Sequence, residues 1–163
     1  MSRLTVDKAR DIHRRYPGLS FPVDMEWLAS AEGCELLNWP FLEPVKEVKQ
    51  GRWIGIATGL DGRQQRYLIA HALAHHLMHR GNQLSFRDWQ KGNILKQEHE
   101  AEECAAHILM PGLELERIGN MPAWELAEHF GVPEELARQR VTEFATDEEL
   151  VRWQMVSEDE PPG

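Results

Sequence analysis

Arg66-Tyr67-Leu68-Ile69-Ala70-His71-Ala72-Leu73-Ala74-His75-His76-Leu77 is the stretch on which the reading of this chain turns. It lies inside a helical pattern from about Gly62 to His79. Asp61 with Gln64 three residues on forms a capping-box pattern, and Gly81 follows the last apolar positions. Side chains four apart on a helix share a face, so His71 and His75 can aim both imidazoles at one ion. The pair alone describes a hydrogen-bonded surface helix just as well. The chain has eight His, and His75 and His79 repeat the same spacing.

A second helical pattern, Ile94 to Met110, ends at Pro111-Gly112 and carries Glu100. Two His and one carboxylate leave a zinc ion an open position for water, as in catalytic rather than structural sites. The small residues Ala101, Ala105 and Ala106 allow this helix close to the His helix. His76 and His79 fit a supporting or surface role. His99 and His107 flank Glu100 and could stabilise an oxyanion, although packing explains them equally. Cys104 reads as a small buried hydrophobe.

Taken together, residues 66–77, the pair Glu100-Ala101 and the run Ala105-Ala106-His107-Ile108-Leu109-Met110-Pro111 resemble the ImmA/IrrE metallopeptidase family. There the first segment reads His-Glu-x-x-His, and the second is a Glu-Ala helix ending in Leu-Met-Pro. The resemblance spans roughly residues 5–145. It implies zinc held by His71, His75 and Glu100, and a helix-rich α+β zincin-like domain whose small sheet packs on the metal-binding helices. It also implies endopeptidase action on a helix-turn-helix repressor that controls mobile-element or stress-response genes. The residues that would contact the substrate are unknown.

One position departs from the family pattern. Ala72 stands where the motif has the glutamate that takes a proton from zinc-bound water. General acid-base assistance is commonly worth about 10²- to 10⁴-fold, so the chain as written is expected to be an inefficient peptidase. Glu98, Glu102 and Glu103 substitute only if the fold aims one of them inward; otherwise they are a solvated acidic face. Ala72 fits a natural pseudo-enzyme or an altered active parent. Peptide binding without cleavage is the alternative function.

The rest of the sequence bounds these readings. Its 163 residues suit one domain, with 42% hydrophobic and 28% charged residues and no apolar run of membrane-spanning length. Two distant cysteines, Cys34 and Cys104, and an opening without a hydrophobic signal segment suggest the cytoplasm. Thr5 is expected to cap a first helix reaching about Arg15, and Pro22 to start a second. Strands are expected at 34–37 and 52–58, with Val45 to Lys49 able to pair between them.

Late in the chain, Pro122 to Phe130 and Pro133 to Phe144, joined at Gly131-Val132, resemble a helix-turn-helix (residues 122–144). A DNA-binding regulator is therefore a further alternative. The second helix, however, opens on Glu134-Glu135, only Arg138 and Arg140 carry favourable charge, and the net charge is −9. Direct nucleic-acid binding is disfavoured, and Phe130, Leu126, Leu136 and Val141 are assigned to the core. The domain is expected to occupy residues 1–145, followed by an acidic tail from 146 to 163 that can turn helical around Leu150 to Trp153.

Overall fold

Ile54 and Ile56 decide the sheet: both are fully buried, so the strand that carries them takes the middle. The computed structural model describes residues 3–40, 46–78 and 91–159. Its three strands are β1 (Glu35–Trp39), β2 (Glu47–Gln50) and β3 (Trp53–Ala57), in the order β1-β3-β2. β1 runs parallel to β3 with Leu36 opposite Ile54, and β2 runs antiparallel with Glu47 opposite Ile56. β2 therefore lies at an edge rather than between the other two. Its hairpin with β3 turns at Gly51, whose φ of +57° is glycine territory. Of the expected Val45–Lys49 pairing segment, Val45 lies outside the described residues.

Eight helices complete the described chain. They are α1 (Arg3–Arg15), α2 (Met25–Ala31), α3 (Gly62–Met78), α4 (Lys91–Leu109), α5 (Gly112–Ile118), α6 (Ala123–Phe130), α7 (Glu134–Val141) and α8 (Asp147–Asp159). The architecture is α+β and helix-rich, as expected. At the start of α3, Asp61 accepts a 2.8 Å bond from the Gln64 amide, the capping contact read from the sequence. His79 and Gly81 lie outside the described residues.

Thr5 does not cap α1. The helix already runs from Arg3, and the fully buried Thr5 hydroxyl donates to Glu103 on α4. α2 starts later than the expected Pro22, with Asp24 capping it by accepting from the Trp27 amide at 3.1 Å.

The core is built where α4 packs on both α3 and α1. Ala70, Ala72 and Ala74 on α3, and Ala101, Ala105 and Ala106 on α4, are all fully buried. Side chains this short let helix axes approach closely, toward the low end of the usual 8–10 Å. The α6–α7 pair packs through Leu126, Phe130 and Leu136, which are buried, and Val141, which is partly so. Between these helices Gly131 adopts φ +60°, and its carbonyl accepts a 2.6 Å bond from Arg66 of α3.

Two late elements go further than the sequence reading. Pro111 ends α4 but also serves as N-cap of α5, since its fixed φ suits a helix start as well as a stop. The helix expected around Leu150 to Trp153 of the acidic segment is longer than that stretch and is α8. In this helix Thr146 Oγ accepts from the Glu149 amide at 3.0 Å, while Glu149 accepts from the Thr146 amide at 2.9 Å. Glu149 is buried, and its carboxylate clasps the fully buried guanidinium of Arg140 at 2.9 and 2.6 Å. No helix among the described residues is long and apolar enough to cross a membrane.

Candidate metal centre

His71 and His75 lie on one face of α3, as their spacing requires, with ring centroids 4.7 Å apart. Across from them, α4 supplies Glu98. Its Oε1 lies 2.8 Å from His75 Nε2, and its Oε2 lies 3.1 Å from His71 Nε2. One ligand atom from each of the three residues falls within 4.8 Å of the others. Only 12% of the His71 side chain and 5% of the His75 side chain meet solvent, whereas Glu98 is 45% exposed.

Glu100 is not part of this cluster. The sequence reading had Glu100 in this place; in the structure Glu100 Oε1 sits 4.0 Å from Lys96 Nζ, one turn back on α4, and Glu98 lies against the two histidines. Two positions along a helix correspond to a rotation of about 200°, so these two glutamates cannot face the same partner. Of the other acids considered, Glu103 is buried against Thr5. Glu102 is not among the clustered residues.

The neighbouring candidates resolve by their contacts. His107 donates from Nε2 to the Phe144 carbonyl at 2.7 Å, and burial, aided by the Arg140 charge, pushes its pKa down to about 4. His99 lies 3.8 Å from Glu143 and rests on Phe144. Cys104 is fully buried, and burial lifts its thiol to about 12, so it stays protonated and packs. His76 is not one of the clustered residues. Ala72 is fully buried within the hydrophobic core.

A group that the sequence did not point to completes the surroundings. Glu47 of edge strand β2 places Oε2 2.9 Å from His71 Nδ1, on the opposite nitrogen from Glu98. Tyr67, one turn earlier on α3, stacks on the His71 ring at 5.8 Å and 27°. Burial disfavours a charge on His71, but the carboxylates of Glu47 and Glu98 outweigh it and raise the pKa to about 10. The adjoining His71 and His75 imidazoles hold the Glu98 carboxyl well below the ordinary carboxylate range. Two carboxylates thus surround one buried positive charge, which suits replacement of a proton by a metal cation.

The donor set fits such an ion on a further count. His71 Nε2 is buried, and although Glu98 lies 3.1 Å away, the two are out of line for a hydrogen bond. A buried ring nitrogen aimed at a shared centre without an aligned partner is costly, and an ion in place of its proton would engage it.

A paired-His helix, a carboxylate from the next helix and a small sheet whose edge strand adjoins them define a metallopeptidase-type domain. Residues 41–142 match the model of the IrrE N-terminal-like domain family, peptidase M78, and the chain belongs to that family. No curated protein matches the chain by sequence. Among solved structures it is similar to a Mycobacterium tuberculosis transcriptional regulator, with 16% identity and a TM-score of 0.60. The match covers 83% of this chain and 46% of that one, so this chain spans less than half of the regulator, and the likeness is one of fold.

Proposed function

We propose that the chain binds one zinc ion through His71, His75 and Glu98, and engages a protein segment at that centre without cutting it efficiently. The observation that carries this reading is the convergence of three ligand atoms within 4.8 Å around a buried His71 Nε2 that lacks an aligned partner. Nitrogen and oxygen donors of this kind suit zinc, and three protein ligands leave a position for water or a substrate carbonyl. When bound, the ion would polarise a carbonyl and make its water a better nucleophile.

The missing element is a base. Ala72 carries no proton acceptor, and Glu47 faces the far nitrogen of His71, where the imidazole ring separates it from the Nε2 side. A protein partner follows from the peptidase family. Its typical substrate, a helix-turn-helix repressor in the cytoplasm, is the expectation carried over from the resemblance. Against DNA reading by the α6–α7 pair stand the two arginines that might have served it. Arg138 is paired with Glu134 at 3.0 Å and with Glu135 at 2.7 Å, and Arg140 is buried.

The test is zinc stoichiometry and affinity in wild type, Glu98→Gln and Glu100→Gln, together with cleavage by Ala72→Glu. Wild type and Glu100→Gln should bind one zinc with similar affinity, and Glu98→Gln should bind more weakly. Ala72→Glu should raise cleavage of a repressor-type substrate by about 10²-fold or more, and chelation should abolish it. Equal zinc affinity in all three chains, or loss on changing Glu100 alone, would overturn the ligand set. An Ala72→Glu chain that holds zinc and partner yet never cuts would assign the site to binding.

A further inference from the structure

We infer that Glu47 is a positioning residue for the metal centre, and that through it edge strand β2 is mechanically coupled to metal occupancy. The inference rests on the zinc reading above. Its geometric basis is that Glu47 Oε2 is 2.9 Å from His71 Nδ1, while His71 Nε2 faces Glu98 and the His75 side. An imidazole that ligates through Nε2 must carry its remaining proton on Nδ1. A carboxylate on Nδ1 selects that tautomer and holds the ring plane. It also makes Nε2 the stronger donor, because hydrogen bonding to an anion pushes electron density across the ring.

The His71 ring is clamped on three sides. Glu47 holds Nδ1, Tyr67 covers a face at 5.8 Å, and Glu98 lies beyond Nε2. Only the first of these comes from the sheet. Both Glu47 and His71 have nearly buried side chains, 13% and 12% exposed, so their contact is little weakened by water.

Among the described residues β2 has one hydrogen-bonded neighbour, β3, and its position is otherwise set by the side chains it sends inward. Along β2 the inward, half-buried positions are Glu47 and Lys49, while Val48 and Gln50 face out. Lys49 is tied to the carbonyl of Gly51 within its own hairpin. Glu47 is thus the inward side chain of this strand whose polar contact reaches the metal helix. Filling the centre should stiffen the His71 ring, and with it the strand that contacts it. A strand edge beside a metal centre is where an extended peptide would add by backbone pairing. Zinc would accordingly prepare that edge as well as the ion's open position.

The experiment compares zinc affinity, by competition with a chromophoric chelator, in wild type, Glu47→Gln and Glu47→Ala. Hydrogen exchange of the 46–50 amides is followed with and without zinc, and circular dichroism checks the fold. Glu47→Ala should weaken zinc binding by about 10- to 100-fold, the usual range for such a supporting contact. Glu47→Gln, whose amide oxygen still accepts from Nδ1–H, should recover part of the loss. Zinc should slow exchange across 46–50 in wild type and fail to do so in Glu47→Ala, although both chains keep β2. A wild-type chain that takes up no zinc would overturn the metal reading and this inference together. Wild type that binds zinc, with Glu47→Ala within threefold of it and equally protected at 46–50, would overturn the inference alone.

Discussion

Replacing Glu149 by Gln should destabilise the protein more than any other single change on α8, and the structure sets the size of the effect. Arg140 is fully buried. Its Nε donates to the Met110 carbonyl at 2.8 Å, and its two terminal nitrogens donate to Glu149 at 2.9 and 2.6 Å. Burial by itself would raise the Glu149 pKa, but the guanidinium outweighs it and holds the carboxyl below its ordinary range. Removing the negative charge leaves an uncompensated buried cation, a situation that typically costs about 3–5 kcal/mol. For a chain of this length each kcal/mol moves the melting temperature by about 2–4 °C, so Glu149→Gln should melt roughly 6–20 °C lower. The loss is a large part of a typical total stability of about 5–15 kcal/mol. Thermal denaturation followed by circular dichroism measures it. A double variant, Arg140→Met with Glu149→Leu, should recover most of the loss, since apolar replacement of a buried pair is often neutral or better. A melting temperature within about 2 °C of wild type in Glu149→Gln would refute the reasoning, because the clasp would then bear no load.

Two other outcomes follow from contacts elsewhere. Burial and the Arg140 charge push the His107 pKa down to about 4 in the folded chain, below the ordinary histidine value of about 6.5. The unfolded chain therefore binds more protons between these values, and stability falls as pH drops from about 6.5 to 4, by up to about 3 kcal/mol. His107→Gln keeps a donor for the Phe144 carbonyl and should flatten that part of the stability profile in denaturant titrations. An unchanged acid slope would assign the sensitivity elsewhere. Gly131→Ala should cost more than about 1 kcal/mol, since φ is +60° and an added Cβ would crowd Arg66 and come within 2.9 Å of Pro22 Cγ. Equal midpoints in urea would contradict this.

The parts of the molecule that were legible in the sequence are those governed by local periodicity. The rise and turn of a helix alone put His71 and His75 on one face, and Asp61 and Gln64 sit within the reach of a single turn. Ala101, Ala105 and Ala106 of α4 announced a close approach to the His helix because side-chain size is a property of the residue itself. The alanine at position 72, where the resemblance leads one to expect glutamate, was equally visible, being a matter of identity and not of placement.

What needed the tertiary structure was phase and partnership. Glu98 and Glu100 are chemically the same and sit on the same helix. Only the rotation of α4, set by burial of Ala101, Ala105 and Ala106 among its neighbours, turns Glu98 to the histidines and leaves Glu100 to Lys96. Glu47 reaches His71 because β3, with its two buried isoleucines, claims the centre of the sheet and leaves β2 at the edge. The Thr146–Glu149 cap was present in the sequence, but the acid-rich composition around it read as a tail with a short helix around Leu150 to Trp153 and no docking. Whether such a segment docks depends on a buried cation waiting elsewhere. Arg140 looked like a surface charge until α8 brought Glu149 to it, because the free energy of a buried charge is decided by the partner that arrives through space.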